Sequence, residues 1–150
     1  MTDSLLDAPT RERFLERIRA LPPEARPRFG TLTADRMVCH LHDGLRIAFG
    51  ELKPEPVKTP LKNALGRWLV IWSPIPWPKG RIKAPPSFFA TPPSPRFEED
   101  REALLAAVRR FERPGDVAWG ESPFLGRLGP RDWAALNARH LDHHLSQFGV

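Results

Sequence analysis

Apolar residues recur at intervals of three and four along four separate stretches of the chain, the spacing that gathers them on one side of an α-helix. In the first stretch, residues 10–21, Phe14, Leu15, Ile18 and Leu21 share a stripe; Asp7 or Thr10 is placed to cap its start, and Pro22-Pro23 ends it. The second is expected to run from an N-cap at Thr33 to about Leu52, with Met37, Val38, Leu41, Leu45, Ala48, Phe49 and Leu52 inward. A third spans about Phe97–Arg113, turns Phe97, Leu104, Leu105, Val108 and Phe111 inward, and stops at Pro114-Gly115. The last opens with Pro130, whose missing N–H needs no partner in a first helical turn, and runs to about Phe148. Its stripe is Trp133, Leu136, Asn137, His140, Leu141, His144, Leu145 and Phe148.

Between the second and third helices the pattern weakens. A short helix over about Pro60–Trp72 would align Leu61, Leu65, Trp68 and Trp72, and a proline-dominated crossover follows as far as Pro95. No segment alternates with period two for long enough to predict a strand. Four principal helices joined by one long crossover predict an all-α protein, a four-helix bundle.

With 150 residues the chain fits a single domain over 1–150, long enough to bury a core. Its 41% hydrophobic and 27% charged residues match an ordinary globular composition and exclude global disorder. The 18 prolines cluster in the connections. The formal charge of +5 points to no nucleic-acid partner, because arginines alternate with acids, as in Arg11-Glu12-Arg13, instead of forming one basic face. The single cysteine, Cys39, excludes an intramolecular disulfide and any CxxC metal site, and in a helix it reads as a small buried hydrophobe. The start of the chain has no basic residues followed by an apolar run, so a cytoplasmic location is the expectation. Leu61–Trp72 is too short for a membrane span, which needs about 20 apolar residues. Its association with a membrane surface, aided by Lys58, Lys62 and Arg67, is a weaker alternative.

All five histidines fall in two windows, His40/His42 and His140/His143/His144. His140 and His144 are four apart, so on a helix they occupy one face about one turn apart and can bind one ion. His40 lies in the second turn of its helix and His144 about one turn before the end of its own. If these helices pack antiparallel, the three rings meet at one level. His42 points about 200° away from His40 and falls outside this set. Asp43 and Asn137 are candidates for orienting ligand rings through the second ring nitrogen, or are plain surface or interhelical polar groups. His143, at the stripe's edge, supports a ligand ring or faces solvent. HExxH and HxxEH are both absent, Leu141 and His143 standing where each motif needs its glutamate, so zincin-type peptide hydrolysis has no support.

The segment HLHDGL around His40 and the terminal HLDHHLSQFG resemble the DinB/YfiT-like superfamily, and within it a bacterial subfamily of unknown function. Phe29-Gly30-Thr31-Leu32, Pro76-Trp77-Pro78-Lys79-Gly80, Thr91-Pro92-Pro93 with Phe97-Glu98, and Arg139 through Gly149 carry the likeness along nearly the whole chain. It departs at Ser122-Pro123-Phe124, where the expected pattern has a histidine before the proline. The resemblance implies an up-down-down-up four-helix bundle, three histidine ligands matching His40, His140 and His144, and often a homodimer. It also implies relatives that include S-transferases and isomerases using low-molecular-weight thiols.

A three-histidine site leaves a coordination position open, which suits a metal-dependent transferase or hydrolase that activates a thiol or water for a small-molecule substrate. Imidazole ligands suit zinc, nickel, iron and copper; zinc or nickel leads, with iron or manganese as further candidates. The alternative is a non-catalytic binding bundle in which the ion is structural. Trp68, Trp72 and Trp77 form either an apolar lid over the site or a packing face in the core or a dimer.

Overall fold

The computed structural model describes residues 2–80 and 84–150. The described chain is mostly helical: α1 (Ala8–Ala20), α2 (Ala34–Ala48), the short α3 (Ala64–Arg67), α4 (Phe97–Arg109) and α5 (Pro130–Gln147). A two-stranded antiparallel hairpin, β1 (Glu121–Ser122) and β2 (Gly126–Arg127), precedes α5. Strands of two residues are too short to show any alternation, so they escape a pattern reading. Residues 81–83, part of the expected crossover, lie outside the described residues.

The four long helices form where the spacing places them. Asp7 caps α1, its carboxylate accepting the Thr10 N–H at 2.9 Å, and Pro9 fits the first turn. Helix α4 passes into a 3-10 turn at Arg110–Glu112, which brings the Phe111 ring into the core. Helix α2 ends at Ala48, short of the expected Leu52, because the Arg46 carbonyl accepts both the Glu51 and Leu52 N–H groups and the chain turns there.

Phe14 and Ile18 of α1, Met37 and Leu45 of α2, Leu104 and Val108 of α4, and Ala138 and Leu145 of α5 belong to one continuous buried cluster. Burial of each large side chain contributes roughly 1.5–3 kcal/mol. Both α1 and α2 pack against both α4 and α5. His40 on α2 stands beside His144 on α5, and Gly44, one turn later, stands beside His140, one turn earlier. The two helices therefore run antiparallel.

Helix α3 departs from its expected stripe. The chain winds a wide π turn over Trp68–Trp72, which shifts the register of the side chains. Ile71 is buried, while Leu65 and Trp68 are 66% and 50% exposed. Gly66 permits this path: a Cβ there would lie 2.5 Å from the Leu61 backbone. Trp72 packs under the Arg131 guanidinium and donates its indole N–H to Asp132.

Two arginines tie elements together. Arg17 bridges α1 to Asp142, Ser146 and the Val150 carbonyl at the end of α5. Arg139 donates to the carbonyls of Ile71, Ser73 and Ile75, and so holds the segment after α3 against α5. No helix among the described residues is long and apolar enough to cross a membrane.

Candidate metal centre

The antiparallel pairing of α2 and α5 brings His40, His140 and His144 together, and one ring nitrogen from each lies within 4.8 Å of the others. His40 is buried and its partners are half-buried. The ring centroids stand 4.8–4.9 Å apart, each pair steeply inclined.

The partners of the remaining nitrogens settle the tautomers. His40 Nδ1 lies 2.9 Å from the Phe88 carbonyl, which only accepts, so Nδ1 carries the proton and Nε2 presents a lone pair. His144 Nδ1 lies 3.0 Å from Gln147 Oε1, and the Gln147 amide nitrogen donates to the Phe29 carbonyl at 2.6 Å. That second bond fixes the amide orientation, so His144 Nδ1 is also the protonated nitrogen and Nε2 the free base. His140 Nε2 sits 2.9 Å from His40 Nε2 and, without an ion, must donate to it. Two imidazole nitrogens bound to one zinc ion at about 2.0–2.1 Å each stand no more than about 4.2 Å apart. The cluster is therefore within a small side-chain adjustment of holding one ion.

Burial is the main reason the three rings resist protonation. It lowers His40 and takes His140 well below its ordinary value, with the charges of His40 and His144 adding to the effect on His140. It pushes His144 down to about 3, with His40 the next contributor. Neutral imidazoles with inward lone pairs are the form a divalent cation needs.

The candidates for orienting these rings divide. Asp43 does not bond to His40. Its fully buried carboxylate accepts from the Thr91 N–H at 2.8 Å and the Thr91 hydroxyl at 2.6 Å, with Arg46 at 3.4 Å. It thereby anchors the crossover segment whose Phe88 carbonyl holds His40 and whose Phe89 ring stacks on His40 at 4.6 Å. Asn137 donates to the Trp133 carbonyl one turn back and makes no bond to a histidine. His143 packs between Phe29 and Trp77 and meets His144 edge to face, without a hydrogen bond to any ligand ring. His42 takes no part in the cluster.

Sequence reasoning missed Gln147 and the Phe88 carbonyl. Gln147 lies three residues after His144 on the same helix, a spacing that marks neighbours. Phe88 lies 48 positions from His40 and acts through its backbone, which leaves no trace in residue type. Of the three tryptophans considered as a lid, only Trp77 reaches the histidines, its ring 6.2 Å from His140 and 6.0 Å from His143. Gly44 also matters: a Cβ there would sit 3.1 Å from His140 Nδ1, so glycine lets the two helices close around the ring.

Beside the cluster lies a cavity of about 570 Å³ with His40 and His140 in its wall. A second hollow of about 430 Å³, near Lys53 and Glu55, contains no histidine. Comparisons with protein-family profiles, curated proteins and solved structures return no match to this chain.

Proposed function

We propose that this chain is a metal-binding member of the DinB/YfiT-like superfamily, a four-helix bundle that activates a thiol or water through a three-histidine centre. The convergence of His40, His140 and His144 carries the reading, because two of the rings have their Nδ1 protons committed outward and turn their Nε2 lone pairs toward the centre of the cluster. The packing of α1 and α2 on both α4 and α5, with the long crossover between α2 and α4, supports the bundle.

His40, His140 and His144 would hold the ion, zinc or nickel first and iron or manganese next. A bound divalent cation supplies a Lewis acid that lowers the pKa of a coordinated water or thiol. The chain's own groups do the rest. Phe88 and Gln147 orient the rings, Phe89 and Trp77 shield them from water, and the cavity receives a small-molecule substrate beside His140. The cluster has three histidines and no fourth protein ligand among the described residues, which favours an accessible site over a closed structural one. The resemblance also implies a homodimer, which sedimentation of the full chain tests.

Metal analysis and zinc and nickel titration of the purified chain test the site, with His140→Ala as the comparison. One ion per chain, lost in the variant, is expected. Turnover of electrophiles with cellular thiols is then measured on the loaded protein. No stoichiometric uptake overturns the metal centre, while uptake with no turnover, and unfolding on chelation, makes the ion structural.

A further inference from the structure

The cavity beside the histidines has a chemistry of its own. Its volume of about 570 Å³ lies within the range of small-molecule sites. Most of the residues in its wall are apolar, among them Leu69, Trp77, Phe88, Phe124 and Leu136. The few polar side chains there each make a hydrogen bond to backbone. Ser73 Oγ accepts the Ile75 N–H, Ser122 Oγ accepts the Leu125 N–H, and the Asn137 amide donates to the Trp133 carbonyl. Apart from the two histidines, no lining side chain among the described residues is ionisable. Arg139, packed against Trp77 at 5.6 Å, spends its guanidinium on three carbonyls. Away from the histidine end, a carboxylate or phosphate entering this space would lose its water and find no counter-charge among the described lining residues, which is costly.

We infer that the cavity takes an uncharged molecule with an alkyl or aromatic body, its reacting group at the His40–His140 end. The position of the reacting group rests on the metal-centre reading; the apolar preference rests on the cavity wall. A peptide-like thiol bearing carboxylates is then not the occupant, and the cavity belongs to the apolar electrophile that such a thiol, or water, would attack. Trp77 joins the two regions, because its ring both lines the cavity and packs against His140.

The probe is N-phenyl-1-naphthylamine, uncharged and fluorescent only in apolar surroundings, titrated into the zinc-treated full chain. Saturable binding of one probe per chain is expected. Leu69→Glu and Leu136→Glu place a charge in the wall at positions that are not fully buried; each, once circular dichroism shows it folded, should weaken the probe at least tenfold. Leu65→Glu, at a position 66% exposed and outside the wall, should change affinity less than twofold and controls for surface adhesion. Absence of saturation, or equal weakening by the Leu65 variant, overturns the assignment. Zinc uptake is read separately on the same preparations. Probe binding without zinc uptake overturns the metal reading and the placement of the reacting group, whereas zinc uptake without probe binding overturns the cavity's apolar occupant alone.

Discussion

Gln147 determines which nitrogen His144 offers to the other two rings. Its carbonyl accepts from Nδ1 while its amide is held by the Phe29 carbonyl, so the ring cannot turn without breaking a bond. Loss of such a partner commonly lowers metal affinity about 10- to 100-fold. Gln147→Ala should weaken zinc by that factor in a calorimetric titration. Gln147→Glu keeps an acceptor for Nδ1–H but sets a second acceptor against the Phe29 carbonyl, so it should recover only part of the loss. Cys39, next to His40 in sequence, is chemically quiet. Burial first, and then the Asp100 charge, push its thiol up to about 12. At pH 8 it is a neutral thiol, and the folded protein should react negligibly with a disulfide reagent such as Ellman's until denaturant is added. Rapid labelling of the native state would contradict this. The environment of this thiol was partly legible, since a lone cysteine on a helix is usually buried, but the Asp100 carboxylate that adds to its inertness comes from α4.

At the level of elements, the crossover is a clamp. Asp43 on α2 holds Thr91, and the turn between Pro85 and Phe89 then delivers a carbonyl and an aromatic face to His40. Asp43→Ala leaves the Thr91 N–H without its acceptor and should destabilise the protein by about 1–3 kcal/mol, read from urea unfolding. Amide exchange at Phe88–Thr91 should quicken in the same variant, and zinc affinity should fall although no ligand has been touched. Unchanged exchange there would separate Asp43 from the site. The prolines marked this stretch as an irregular connection, but its contact with His40 could not be read, because it runs through a backbone oxygen. Helix α3 shows the opposite failure. A stripe of Leu61, Leu65, Trp68 and Trp72 was legible, yet the π turn rotated it, and Ile71, outside that stripe, is buried while Leu65 and Trp68 are exposed.

For the whole molecule, three neutral imidazoles inside the fold link stability to pH. The unfolded chain takes up a proton on His144 near the ordinary 6.5, whereas the folded chain resists until about 3. Between those values the unfolded state binds more protons. The metal-free protein should thus hold this part of its stability above about pH 6.5 and lose it progressively as the pH falls toward 3. His40 and His140 are lowered too and act in the same direction. Urea midpoints between pH 8 and 4 check this, and His144→Gln should flatten the slope; a midpoint that rises on acidification would contradict it. The sequence by itself determined the four long helices, the inward stripe of each, and the pairing of His140 with His144 on one face. All of these follow from a repeat of about 3.6 residues per turn, which is local and needs no knowledge of the rest of the chain. Only the tertiary structure decided that His40, 100 positions from His140, lies against it, which nitrogens are free, and that an apolar cavity opens beside them. Those depend on how helices pack and where backbone carbonyls land, and a backbone carbonyl is the same in every residue.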